Sequence, residues 1–207
     1  MAITNIEELQ GMHLDVLKEI GNIGSGNAAS ALSTMLNVPI DISVPDVRLL
    51  NFDDAVNFLG GPENVAIGML VNITGDITGM MLYVIQHSCA SSMTEAVFGM
   101  PIEDITNMNE MEVSFISEIG NIMSASYINA IASLTNMTID ISVPNMTVDM
   151  AGAILSVPAV SFAQVGDKVL LIDDSFIIGG NEVKSNMILV PEMNSLEYLF
   201  NKLGVGI

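Results

Sequence analysis

Basic side chains are scarce in this chain of 207 residues: Lys and Arg number 5 against 24 Asp and Glu, a formal charge of -19. Phosphate neutralisation needs clustered Lys and Arg, so a nucleic-acid surface is excluded. An anionic membrane surface is disfavoured for the same reason. Such acidity keeps an apolar protein soluble, and it also draws a cationic protein face into encounter. Both readings stand at this point.

Cysteine is equally sparse. Cys89 is alone, which excludes an internal disulfide and fits a reducing cytosol. Within H-S-C-A-S-S it reads as a small packing residue in preference to a nucleophile. The opening M-A-I-T-N-I-E-E has no basic region ahead of an apolar run, so no signal peptide is indicated and a cytoplasmic location is expected. Long apolar runs are missing too. The most hydrophobic stretch, Val65 to Ile85, is interrupted by Asn72, Asp76 and three glycines, and reads as paired strands instead of a membrane helix.

Several chemistries lack their parts. Gly21-x-x-Gly24-x-Gly26 has no following Lys-Ser/Thr and does not match dinucleotide spacing, which removes nucleotide binding. His13 and His87 stand apart from each other and from Cys89 without metal-ligand spacing, and are expected as surface or packing residues. No Ser, His and Asp set recurs in both halves, so nucleophilic hydrolysis has no support. The 16 methionines, spread over all segments, suggest an adaptable core.

What the chain has is apolar residues amounting to 50%, enough for a substantial core, and a duplication. D15-V-L-K-E19-I-G-N22 returns ninety-nine residues later as S114-F-I-S-E118-I-G-N121, and N-x-x-I-D-I-S-V-P follows both copies, ending at Pro45 and Pro144. A period so long is no solenoid. Two fused half-units related by a pseudo-two-fold axis are the simplest reading, about 1–103 and 104–207 within one domain spanning 1–207. Apolar positions drift between the copies, Leu32 becoming Ile131 and Val38 becoming Met137, as volume-conserving core swaps do. Glu and Asn three apart return unchanged.

Hydrophobic periodicity predicts a helix, capped by Thr4 or Asn5 with Glu7 and Glu8 in its first turn, through to Asn37. Gly21, Gly24 and Gly26 fall inside it; close approach by another surface and tight packing within the fold both account for them. A strand follows from Val38 to Val47, ending near Pro45, then a helix Asp53 to Leu59, a hairpin Val65 to Thr74 and Ile77 to Ile85 about Gly75-Asp76, and a helix Ser88 to Phe98. The second half repeats this: helix Asn109 to Asn136, strand Thr138 to Val148, helix Ala151 to Ala163, strands Lys168 to Ile178 and Glu182 to Val190, helix Ser195 to Leu203. Each half reads α-β-α-β-β-α. No linker separates them, so they are expected to share one sheet. The fold class is α+β, layered, with a largely antiparallel central sheet.

On a helix, Asp15, Glu19 and Asn22 share one narrow stripe, as do Ser114, Glu118 and Asn121. A solvated face would not keep Asn after Glu. An amide has no useful basicity, but its donor and acceptor can hold a water in a defined orientation. Phosphoryl transfer needs mostly positioning and charge stabilisation, and the neighbouring carboxylate can pair with a cationic side chain of a substrate protein.

Asp or Ser, three residues, Glu, two residues, Asn, then twenty-two residues to Pro, present twice, closely resembles the CheC family of chemotaxis phosphatases, and the two-copy layout matches over essentially the whole chain. The resemblance implies a CheC, CheX and FliY type fold, with the two long motif helices outside the central sheet, and hydrolysis of the aspartyl phosphate of the response regulator CheY. It implies that Asn22 and Asn121 orient the hydrolytic water and that Glu19 and Glu118 hold the regulator's lysine. Asp15, Ser114, Pro45 and Pro144 would flank the sites. Mg²⁺ would be bound by CheY, with no cofactor bound by this chain.

By the same resemblance the receptor deamidase CheD is a second partner. It would dock on Asp149 to Phe162, through Asp149, Ala151, Ile154, Leu155, Val157 and Phe162, a segment equally compatible with core packing. A stand-alone CheC is implied, and a monomer is expected because an internal duplication can replace a dimer. Two functions remain: a phosphatase acting in trans, or chiefly an adaptor that binds and regulates CheD, with weak or CheD-dependent phosphatase activity.

Overall fold

Helix α1 (Gly11–Leu36) buries His13, Leu17, Ile20, Gly21, Gly24, Ala28, Leu32 and Leu36. Recurrence every three or four residues puts them on the side that meets the sheet. The computed structural model describes residue 9 and residues 11–162, 168–178 and 180–205, with the backbone alone at 161, 162 and 193. The expected cap at Thr4 or Asn5 and the acidic turn of Glu7 and Glu8 lie outside the described residues. After α1 come β1 (Ile40–Ile42), β2 (Asp46–Asn51), α2 (Phe52–Phe58), β3 (Val65–Gly75), β4 (Gly79–Ile85) and α3 (His87–Phe98). The second half follows with α4 (Glu110–Thr135), β5 (Ile139–Ile141), β6 (Asn145–Met150), α5 (Ala151–Phe162), β7 (Lys168–Ile178), β8 (Asn181–Pro191) and α6 (Met193–Lys202).

Local chemistry sets the boundaries of the motif helices. Asn109 caps α4, accepting from the backbone N–H of Met111 and Glu112, while the Glu112 carboxylate accepts from Asn109 N–H, the reciprocal capping box. Both helices are followed by asparagine in the left-handed region, Asn37 with φ 54° and Asn136 with φ 55°. Asparagine tolerates that conformation better than most residues, which accounts for its presence in both copies.

Among the described residues eight strands form one antiparallel sheet in the order β1-β7-β8-β4-β3-β5, with β2 also on β7 and β6 also on β3. The halves interlock. Strands β1 and β2 of the first half pair with β7 of the second, β5 and β6 of the second pair with β3 of the first, and the two hairpins join through β4 and β8. The Val65 to Ile85 stretch is the β3–β4 hairpin. Among the described residues no helix is long and apolar enough to cross a membrane.

One expectation is corrected in both halves. The strands read as continuous from Val38 to Val47 and from Thr138 to Val148 are each broken in two. Ile42 pairs with Phe176 and Asp46 with Asp173, so residues 43–45 oppose only 174–175. Likewise Ile141 pairs with Ile73 and Asn145 with Leu70, so 142–144 oppose 71–72. Each is a bulge with one extra residue, and each contains the motif proline, which has no N–H to give a ladder.

Side chains alternate across the sheet. Ile67, Met69, Val71, Tyr83, Ile85, Ile172 and Met187 join the larger core under α1 and α4. Ala66, Leu82, Val84, Leu171 and Ile188 join a smaller core under α2 and α5. The result is three layers, with both motif helices on the same face.

Candidate functional site

Asp15, Glu19 and Asn22 on α1, and Ser114, Glu118 and Asn121 on α4, are all exposed. Ile20 and Gly21, Ile119 and Gly120, one or two positions away, are buried. Each helix thus turns its polar stripe outward while its back lies on the sheet. The side-chain hydrogen bonds that tie the helices to their surroundings run from other residues, such as Ser25 and Tyr127. Among the described residues Glu19, Asn22, Glu118 and Asn121 take no part in them.

The glycine inside E-I-G-N has a packing reason. A Cβ on Gly21 would lie 3.3 Å from Pro45 Cγ and 3.6 Å from Ile172, and one on Gly120 would run into the side chain of Met69. Ile172 and Met69 are each the fifth residue of their strands, so both helices approach equivalent places on the sheet. The contact with Gly21 also seats Pro45, which is buried, directly behind Asn22; Pro144 is half-buried at the corresponding bulge. The twenty-two residues between Asn and Pro are therefore a chain path: the rest of the helix, the asparagine stop, a short strand and the bulge. In the first copy this path brings Pro45 beside the helix turn that carries the Asn22 amide.

Where α1 crosses α4 the copies differ. A Cβ on Gly24 would lie 2.7 Å from Tyr127 Cδ1, whereas one on Gly26 meets only Ile42 Cδ1 at 4.0 Å. Gly24 is therefore small for helix packing within the fold, while Gly26 has room. Below the crossing, Ser25 Oγ lies 2.6 Å from Tyr127 Oη and 2.6 Å from Asp174 Oδ1, and Tyr127 Oη also bonds Asp174. The Ser25 and Tyr127 hydroxyls donate to the two carboxylate oxygens of Asp174. Burial raises the carboxyl to about 6, against these hydrogen bonds from Ser25 and Tyr127. Sequence reasoning missed this cluster. Its signal was an acidic pair, Asp173-Asp174, inside the otherwise apolar strand L-L-I-D-D-S-F-I-I.

The remaining expectations find their places. Cys89 is buried, and burial pushes its thiol up to about 12, which suits packing. His13 Nε2 lies 3.2 Å from the Val205 carbonyl, with its ring 4.7 Å from that of Phe200, and His87 Nε2 lies 2.8 Å from the Ile102 carbonyl. Among the described residues no group of three or more His, Cys, Asp or Glu could hold a metal. In the α5 segment, Ala151, Ile154 and Leu155 are buried and packed in the smaller core. Asp149 and Val157 are exposed and line a cavity of about 410 Å³ with Met146 and Ile154. The side chain of Phe162 lies outside the described residues.

Comparison with known proteins bears on this geometry. The profile of the CheC-like family matches residues 12–48 and 111–148, the two motif helices with their following strands and bulges. The chain is 36% identical over 198 residues to the CheY-P phosphatase CheC of Bacillus subtilis (strain 168), covering 94% of this chain and 95% of that one. It is 29% identical to the flagellar motor switch phosphatase FliY of the same organism, over 69% of this chain and 37% of that protein. The crystal structure of Thermotoga maritima FliY superposes with a TM-score of 0.75 at 22% identity, covering 95% of this chain and 98% of that one.

Proposed function

The chain belongs to the CheC-like family, and from that premise we propose that it is a phosphatase of the phosphorylated response regulator CheY, with one site on each motif helix. The observation that carries this reading is the repeated Glu and Asn pair, exposed on the same stripe of α1 and α4 and unused by the fold. Three residues along a helix is a rise of about 4.5 Å, so both groups reach one small area of a partner.

The Asn22 amide enters the regulator's site beside the acyl phosphate. Its carbonyl oxygen accepts from the attacking water and its N–H₂ donates, holding the water oxygen in line with the phosphorus. Water attacks, the bond between phosphorus and the aspartyl oxygen breaks, and inorganic phosphate and a free carboxylate leave. Asn121 does the same in the second site. Glu19 and Glu118 pair with a lysine ammonium of the regulator and fix the register of the two proteins. The Mg²⁺ of the reaction is carried by the regulator. Both sites lie in one chain, so a monomer suffices.

The test is dephosphorylation of phosphorylated Bacillus subtilis CheY by the wild type, Asn22→Ala, Asn121→Ala and the double variant, with folding followed by circular dichroism. A folded, inert double variant is expected, since loss of one positioned group costs on the order of 100-fold or more. A folded double variant that still accelerates phosphate loss would overturn the assignment.

A second reading has its own support in the exposed Asp149 and Val157 beside the cavity between α5 and β6. This reading is docking of the deamidase CheD there, with the phosphatase weak or dependent on that complex. Asp149→Lys is expected to abolish CheD binding and leave turnover by the isolated chain unchanged, as measured by calorimetry and phosphate release.

A further inference from the structure

Several buried apolar residues drift between the two copies, Leu32 becoming Ile131, but two exposed apolar positions do not. Val44 and Val143 stand at equivalent positions in S-V-P, with relative exposures of 68% and 87%. Met12 and Met111, also ninety-nine apart, are 61% and 52% exposed. Single exposed apolar residues need no explanation. A matched set in both halves does, because no packing constraint holds these side chains in place.

Their positions relate them to the polar stripes. Met12 lies three residues before Asp15 and seven before Glu19, on the same helical face, and Met111 stands likewise to Ser114 and Glu118. Each valine is the middle residue of a bulge, next to the proline. In the first half that proline is packed against Gly21, adjacent to Asn22. Bulges re-aim a side chain and recur beside active sites. Each bulge leaves its valine exposed; in the first half it stands at the amide end of the stripe through Pro45 on Gly21, the second-half valine holds the equivalent repeat position, and the methionine stands at the other end, about 15 Å from the amide along the helix.

Resting on the phosphatase reading above, we propose that Val44 with Met12, and Val143 with Met111, are the apolar contacts that bracket each site. They would grip an apolar surface flanking the phosphoaspartate of the regulator. Glu and Asn recognise the charged centre of the partner; the valine and methionine bury apolar area around it and exclude water from the attack. Such a frame of apolar contacts around a polar centre is how interfaces shield their few decisive groups. An alternative role for the valines is local: a β-branched residue suits the extended backbone that precedes proline. Threonine separates the two, since it keeps the branch and the shape and loses the apolar surface.

The experiment measures initial rates against the concentration of phosphorylated Bacillus subtilis CheY for the full chain, with one site silenced at a time. In the Asn121→Ala background, where only the first site works, Val44→Thr is expected to raise KM roughly tenfold with kcat within about twofold, the signature of lost uniform binding. Val143→Thr is expected to do nothing there. In the Asn22→Ala background the two should exchange roles. Val44→Ile should retain the wild-type KM, and Met12→Gln should raise it roughly threefold. Thermal melting of the threonine variants checks that they are folded. Wild-type KM for both threonine variants, with the Asn double variant inert, would sink the apolar contacts and leave the phosphatase reading in place. Turnover surviving in the folded Asn double variant would remove both.

Discussion

Glu19 and Glu118 carry a charge where Asn22 and Asn121 carry an oriented dipole, and the two roles separate under mutation. A carboxylate that pairs with a lysine at a protein interface works through a screened Coulomb interaction. Glu19→Gln with Glu118→Gln keeps shape and removes charge. The expected result is a KM raised about tenfold at low salt, with a weaker dependence on ionic strength than wild type; kinetics between low and physiological salt measure it. An unchanged salt dependence would mean that these carboxylates meet no cation. Both glutamates are exposed on α1 and α4, so stability is expected to stay within about 0.5 kcal/mol of wild type.

The glycines of α1 differ in what surrounds them, and so in what they cost to replace. At Gly24 a methyl group enters the ring of Tyr127 at 2.7 Å, and that ring is held by the bonds of its hydroxyl to Ser25 and Asp174. Gly24→Ala is expected to destabilise by about 1–3 kcal/mol, the usual range for overpacking. At Gly26 the nearest outside atom is 4.0 Å away, and Gly26→Ala is expected to stabilise by up to about 1 kcal/mol through helix propensity. Denaturant unfolding of the two variants measures both signs.

Interlocking of the halves places an ionisable group where neither half alone would bury it. Asp174 lies on β7 of the second half, is bonded by Ser25 from the first and Tyr127 from the second, and is 1% exposed. Its carboxyl is raised to about 6, chiefly by burial, with Asp173 beside it adding in the same direction. The native state therefore retains a proton that the unfolded chain releases near the ordinary carboxylate pKa of about 3.9. The stability it contributes is complete below that value and is lost as pH rises through about 6. Asp174→Asn is expected to remove this slope. Its unfolding free energy minus that of wild type should become more favourable between pH 4 and 6.5 by on the order of 2 kcal/mol, as measured by denaturant unfolding at each pH. A difference independent of pH would mean that Asp174 is charged across the whole interval.

Patterns short in sequence were legible without coordinates. The duplication, the order of helices and strands, the β3–β4 hairpin and the stripe of Asp15, Glu19 and Asn22 with its twin all follow from periodicity and spacing, because helix and strand periods are properties of neighbouring residues. The break at Pro45 and Pro144 was misread as continuous strand, since a bulge is defined by how many residues stand opposite on another strand, here β7 and β3. For the same reason the exposure of Val44 and Val143 was not visible, nor the burial of Ile154 and Leu155. Gly21 over Ile172, Gly24 under Tyr127 and Ser25 bonded to Tyr127 and to Asp174 join residues more than a hundred positions apart. Local sequence carried the chemistry of each motif helix; packing across the interlocked sheet decided which side of that helix met solvent and what stood beside it.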